Sequence, residues 1–391
     1  MARWVTLIVV TFLLSVQGSP VPNKASAATP SPVGNLTGTF VADLRQCQRP
    51  RARNATSTSP TRVSDLRPDD IKIFMTLGDS IGAALFSKGW GNGAPSLMEN
   101  RGWSYASGGG PNVSSLVNFF KVFSPSVRGE SNGNNIIRPC YGPLCLDPEL
   151  TYKKDFGYNL ALSGALVTNL AAEVEVLTDI VRTDPDVNLQ NDWKFLTVLI
   201  GANDQCLSCA NLLPTRKYEE EIRKTIETLR KNFPRTIVHF STIFKVSGLY
   251  QYNRDREYCR KLRGFGGIVE CPCAFAGGDT RIGGYMRSLM DKAADAWNGK
   301  LHRIAKDYSG KYEDFAVVVD PGSGGIPVDK FGQDYISSID CFHPSSKAHA
   351  IFARASWNNL FLPAEQKARA FELDESMMLY CPTEEDRIQV H

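Results

Sequence analysis

The sequence predicts an α/β protein in three α/β/α layers, with a central parallel sheet of about five strands and helices on both faces. Two observations predict it. Short apolar runs, too continuous to leave one face in water, recur along the chain, and amphipathic stripes at helical spacing lie between them. Strand and helix alternate in this way only where right-handed crossovers build a parallel sheet.

The strand-like runs are residues 71–77, 158–163, 195–200, 236–244 and 315–320. Leu166, Leu170, Val174, Leu177 and Val181 recur at steps of three or four, as do Tyr218, Ile222, Ile226, Leu229 and Phe233. Both stripes are expected to face the sheet. A longer pattern runs through Tyr285, Leu289, Ala293, Trp297, Leu301 and Ile304, and a last helix is expected from Ser345 to Leu360. In such sheets ligands bind at the carboxyl ends of the strands, so chemistry is to be sought in the residues just after each one.

Composition bounds the rest. The 391 residues are 42% hydrophobic and 22% charged, an ordinary globular mixture that excludes disorder and collagen. The net charge of +3 separates 44 basic from 41 acidic residues with no long run of either sign, so nucleic-acid binding gains no support. A mildly basic surface allows transient contact with a membrane or lipid aggregate, although Lys and Arg scattered singly are ordinarily solvated helix faces. Arg3 precedes an apolar run over residues 5–16, short of the ~20 residues a spanning helix needs, and Gly18 and Ser19 follow it. Residues 1–18 therefore read as a signal peptide, with a secreted, extracellular product. Residues 384–391 carry no hydrophobic anchor tail, and the mature protein is expected to be soluble. Residues 19–65, rich in Pro, Ser, Thr and Ala, read as a mostly flexible leader, 66–382 as the folded domain and 383–391 as a C-terminal tail.

Ten cysteines suit an oxidising destination. Cys206-x-x-Cys209 and Cys271-x-Cys273 have the look of metal or redox motifs, but behind a signal peptide they read as disulfide halves. Cys140 with Cys145 and Cys47 with Cys381 are plausible pairs, although spacing does not determine connectivity. Glycosylation sequons stand at Asn35, Asn54 and Asn112.

Candidate chemistry sits where the topology places it. Gly78-Asp79-Ser80 ends the first strand, where a serine stands at the sheet's carboxyl edge; taken alone it is a common turn tripeptide. Gly164 follows the second run and lets a backbone N–H approach a developing oxyanion, or simply makes a turn. Asn203, in Gly201-Ala202-Asn203-Asp204 after the third run, offers an uncharged N–H donor, or a helix cap. Asp340-Cys341-Phe342-His343 places a carboxylate three residues before an imidazole, as a base and its orienting acid require. Of five histidines, His239 lies in a strand pattern, His302 in a helix, His349 in the last helix and His391 in the tail, which leaves His343 as the candidate base.

Taken together and in this order, Gly78-Asp79-Ser80, Gly164, Gly201-Ala202-Asn203-Asp204 and Asp340-x-x-His343 resemble the GDSL or SGNH hydrolase superfamily. Residues 66–72, 159–165, 192–194 and 340–343 resemble its animal phospholipase B subfamily, and the resemblance spans about residues 65–382. It implies a flavodoxin-like SGNH fold with Ser80 as nucleophile, His343 as general base and acid, and Asp340 orienting it. The oxyanion donors it implies are Ser80 and Gly164 through their backbones and Asn203 through its side chain. No metal or other cofactor is implied. The implied activity is a serine ester hydrolase of phospholipase B or lysophospholipase type, acting on phospholipid or another acyl ester. Short-chain or carbohydrate acetylesterases share the same blocks, and an inert secreted binding protein on this fold is the reading from another class. Ile81 and Gly82 depart from the family's Leu and Ser or Thr after the nucleophile, which bears on substrate preference.

Overall fold

The sheet forms where β-branched and aromatic residues are concentrated. The computed structural model describes residues 36–48, 60–90, 98–137, 139–145, 152–210, 214–263 and 270–391. Four strands bond side by side in chain order: β1 (Ile71–Gly78), β2 (Trp193–Leu199), β3 (Thr236–Ser241) and β4 (Phe315–Asp320). All three pairings are parallel. The helices used below are α1 (Leu116–Phe123), α2 (Leu170–Thr183), α3 (Thr215–Asn232), α4 (Gly248–Arg254), α5 (Glu257–Arg263), α6 (Arg281–Tyr308) and α7 (Ser346–Asn359).

Successive side chains of a strand point to opposite faces, and both faces are buried. Phe74, Phe195, Ile237 and Ala316 lie abreast and share one core with Phe120 of α1 and Trp357 of α7. Their neighbours Met75, Leu196, Val238 and Val317 enter a second core with Leu177 of α2, Ile226 of α3 and Trp297 of α6. The three layers follow from that alternation.

Among the described residues the sheet has four strands rather than the five expected. Residues 158–162 do run beside β1: Leu160 N donates to Thr76 O and Leu162 N to Gly78 O, both at 2.9 Å. Pairing is nevertheless a single bridge at Asn159. The Asn159 side chain accepts from Ala161 N at 3.1 Å and donates to Gly82 O at 2.9 Å, bonds that compete with a regular ladder. On the outer side Arg101 donates to the carbonyls of Asn159 and Ala161, so this edge is capped by a side chain.

The α2 and α3 stripes face the core, with only Leu166 half-buried. In α6 the expected stripe drifts: Met290, Ala294, Trp297, Leu301, Ile304 and Tyr308 are buried, whereas Tyr285 is 61% exposed. Twelve residues at about 100° each leave Tyr285 roughly 120° round the helix from Trp297.

Described residues outside 66–382 also make contacts with the domain. Thr39–Val41 pairs antiparallel with Leu379–Cys381, and Val63 N donates to Glu313 O. At the other end Ile388 N donates to Leu66 O, and Ile388 and Val390 are buried. Single apolar residues such as Leu44, Val63 and Ile388 make no periodic pattern, so only tertiary contact reveals that these segments pack. Residues 1–18, expected to be a signal peptide, and the sequons at Asn35 and Asn54 lie outside the described residues, while Asn112 is exposed.

Every cysteine is paired. Cys47–Cys381 and Cys140–Cys145 form, Cys206–Cys271 and Cys209–Cys273 join the two short motifs to each other, and Cys259 bonds Cys341. Among the described residues no helix is long and apolar enough to cross a membrane.

Candidate active site

β1 and β2 approach so closely at their carboxyl ends that a Cβ on Gly78 would lie 2.2 Å from Leu199 O, and Gly78 has φ +141°. The chain then turns through Asp79 into Ser80. Asp79 is fully buried, and its Oδ1 accepts from Ile81 N at 3.0 Å. Burial outweighs that bond and the charge of His343, and pushes Asp79 up to about 6. Gly82 has a packing reason, since a Cβ there would meet Ala161 Cβ at 2.7 Å. The family's larger residue does not fit this turn as it stands.

The other half of the site is a loop closed at its neck by a bridge between Ile336 and Pro344 and by Ser337 N donating to His343 O at 2.7 Å. Asp340 Oδ1 accepts from the backbone N–H groups of Phe342 and His343, at 2.9 and 3.1 Å. This turn folds the imidazole back onto Oδ2, which lies 2.5 Å from His343 Nδ1. The spacing of three residues works for that reason. His343 Nε2 lies 2.8 Å from Ser80 Oγ, across 263 positions of sequence. Both side chains belong to residues only 5% exposed, and Phe86 meets the imidazole edge-on at 5.9 Å between centroids. Burial lowers the His343 pKa, but the Asp340 charge and hydrogen bond, with Glu270 and Asp79 beyond, outweigh it and raise the imidazole above its ordinary value.

Asn203 sits on a single helical turn, Ala202–Gln205, that starts after Gly201 at φ +123°. Its Nδ2 donates to Ala165 O at 3.0 Å, seating it against the loop that carries Gly164 at φ +89°. Ser80, His343 and Asp340 thus form one hydrogen-bonded chain, and Asn203 is joined to the residue after Gly164. A hydroxyl, an imidazole and a carboxylate in this series can move a proton off the hydroxyl while the carboxylate steadies the imidazolium.

The other histidines are placed differently. His239 is buried 3.8 Å from Asp320 and held down at about 4 by burial. His349 is buried, accepts from Tyr105 N at 3.2 Å through Nδ1, and is pushed down to about 3. His302 is lowered by burial, and His391 Nδ1 lies 3.0 Å from Ser309 Oγ.

Four further charged residues support the site, and only Asp204 falls inside a motif read from the sequence. Arg101, 1% exposed, donates to Glu99 Oε2 through Nε and Nη2 at 3.0 and 2.8 Å, and Glu99 Oε1 accepts from Ser163 Oγ at 2.6 Å. This buried pair ties down the run that leads into Gly164, and Glu99-Asn100-Arg101 shows no pattern that separates it from a solvated loop. Glu173 accepts from Gly78 N at 2.8 Å and Asp204 from Val167 N at 3.1 Å. Burial raises Glu173 well above the carboxylate range and Asp204 to about 7, and the Asp79 charge adds to both. A signal for Glu173 did exist, because it falls three residues after Leu170 on the stripe that faces the sheet. Among the described residues one trio can present metal ligands together, Glu270, Asp340 and His343, within 4.8 Å of one another. Both His343 nitrogens there are already engaged by Asp340 and Ser80.

The fold and this serine-centred chain of bonds define a hydrolase class, and the comparisons agree. The family model for GDSL-like lipase/acylhydrolase matches residues 74–356; the chain belongs to that family and is a carboxylic ester hydrolase. It is 29% identical over 355 residues to human membrane-associated phospholipase B1 and 30% identical over 360 residues to the mouse protein. Each alignment covers 85% of this chain but 22% of the relative, so the chain spans about a fifth of those proteins' length. A Streptomyces rimosus extracellular lipase aligns with 71% of this chain and 94% of its own at 11% identity and a TM-score of 0.31, too low to support an argument.

Proposed function

We propose that this chain is a secreted phospholipase B or lysophospholipase type enzyme that releases fatty acids through an acyl-enzyme. The observation that carries the reading is the continuous series Ser80 Oγ, His343 Nε2, His343 Nδ1, Asp340 Oδ2 at 2.8 and 2.5 Å. Ser80 Oγ attacks the ester carbonyl carbon while its proton passes to His343 Nε2. The oxyanion accepts from the backbone N–H groups of Ser80 and Gly164 and from Asn203 Nδ2. His343 returns the proton to the departing alcohol, then activates the water that frees the fatty acid.

The kinship with phospholipase B1 supports a phospholipid substrate. Five disulfides support an extracellular destination. The test is incubation with defined phosphatidylcholine and a series of esters of rising acyl length. Release of free fatty acid and lysophospholipid is expected; turnover confined to acetate esters would replace the reading with an acetylesterase.

Asn203→Ala is expected to lower kcat by about 100-fold, the ~3 kcal/mol effect of one missing oxyanion donor. Its circular dichroism is expected to match wild type, because Asn203 is half-buried and only its bond to Ala165 O is lost. Wild-type turnover by this variant would remove Asn203 from the mechanism.

A further inference from the structure

The loop carrying Asp340 and His343 is held from two sides. Inward, Ser337 Oγ donates to Phe86 O at 2.7 Å, close to the turn that follows Ser80. Outward, it is held by α4 and α5, some eighty positions earlier in the chain. Asn253 Nδ2 of α4 donates to Cys341 O at 2.9 Å, Tyr258 Oη of α5 donates to Ser338 O at 2.6 Å, and Cys259 of α5 is bonded to Cys341. Cys341 stands between Asp340 and His343 with φ +52°, a conformation a residue other than glycine rarely adopts. Something must hold it there, and three tethers from one strap converge on it or on its near neighbour.

We propose that α4 and α5 form a strap that positions the acid and base, with the Cys259–Cys341 bond as its main fastening and Tyr258 as an auxiliary one. Neither cysteine touches the reacting atoms; both act through the geometry of Asp340 and His343. The strap serves the hydrolytic reading of the site and rests on it. Loss of the fastening lets Cys341 relax toward negative φ, which rotates the peptides that donate to Asp340 Oδ1 and lengthens the Asp340–His343 bond. Turnover falls, while the oxyanion donors Ser80, Gly164 and Asn203, which lie on other segments of the chain, stay in place.

The groups facing the imidazole make the displacement readable. They are Asp340 on its own loop, Asp79 at the end of β1, His349 on α7, and Glu270, the residue before disulfide-bonded Cys271. Asp340 is the strongest of those that raise His343. A loosened loop therefore moves the acid limb of the rate profile, which starts above the ordinary imidazole value of about 6.5, to lower pH.

The experiment compares wild type with Cys259→Ala, Tyr258→Phe and the double variant Cys47→Ala/Cys381→Ala, whose disulfide ties the chain's ends away from this loop. Cys259→Ala is expected to lower kcat about tenfold with KM within about twofold, and to shift the acid limb downward. Tyr258→Phe is expected to move both in the same direction by less. The terminal double variant is expected to lose Tm without moving either. His343 is also titrated by NMR of imidazole-labelled protein, a readout that needs no turnover. Absence of ester hydrolysis in wild type would therefore count against the catalytic reading and leave the strap to be tested by the titration. A Cys259→Ala protein with reduced Tm but unchanged kcat and His343 titration overturns the strap. Should that variant fail to fold, Tyr258→Phe decides the matter, and an unmoved His343 titration there overturns the strap equally.

Discussion

Ser80→Ala is expected to lower kcat by roughly 10⁴-fold or more while leaving the melting temperature close to that of wild type. The hydroxyl is the end of the hydrogen-bonded series through His343 and Asp340, and no other side chain within it can supply a nucleophile. Removing one oxygen opens little space and leaves His343 anchored through Nδ1, so folding is spared. The measurement is ester hydrolysis beside a thermal melt. Near-normal turnover in a folded variant would end the serine mechanism, because what remains without the nucleophile is only binding and oxyanion stabilisation.

Arg101→Leu carries the largest expected effect on stability. Arg101 and Glu99 are both buried, and removal of one partner leaves the other charged and unpaired, a loss of about 3–5 kcal/mol. The carbonyls of Asn159 and Ala161 lose their donor as well, and the run that positions Gly164 loses its outer support. Urea denaturation is expected to show the fall in stability, and hydrolysis a lower kcat even where the variant is folded. Combining Arg101→Leu with Glu99→Met is expected to recover part of the stability, since the unpaired carboxylate is gone. A single variant within about 1 kcal/mol of wild type would show that Glu99 finds water or a proton.

Much of the candidate site was legible before folding, because Gly78-Asp79-Ser80, Gly201-Ala202-Asn203 and Asp340-x-x-His343 are local patterns set at strand ends or on one loop. The parallel sheet was legible for a similar reason: apolar runs buried on both faces have no polar alternation to hide them. Other matches proved structural in use. Lys194, in a run that resembles the phospholipase B subfamily, donates to the carbonyls of Leu189, Asp192 and Pro234 at 2.6, 2.7 and 2.7 Å. Three acceptors call for three N–H groups, so this pattern favours the ammonium even though burial pulls Lys194 down to about 7. Beside it, Trp193 Nε1 donates to Pro60 O, which packs the chain entry onto the sheet.

By itself the sequence determined the alternation of elements, the faces that α2 and α3 bury and the residue types offered at the strand ends, since each depends on neighbours within a few positions. Only the tertiary structure decided that residues 158–162 stop short of being a fifth strand, that both described ends of the chain pack into the domain, and that Glu99 and Arg101 lie beneath the site. Those outcomes depend on contacts between residues tens to hundreds of positions apart. A charged side chain looks the same in sequence whether water or a buried backbone N–H receives it, and the fold alone chooses between them.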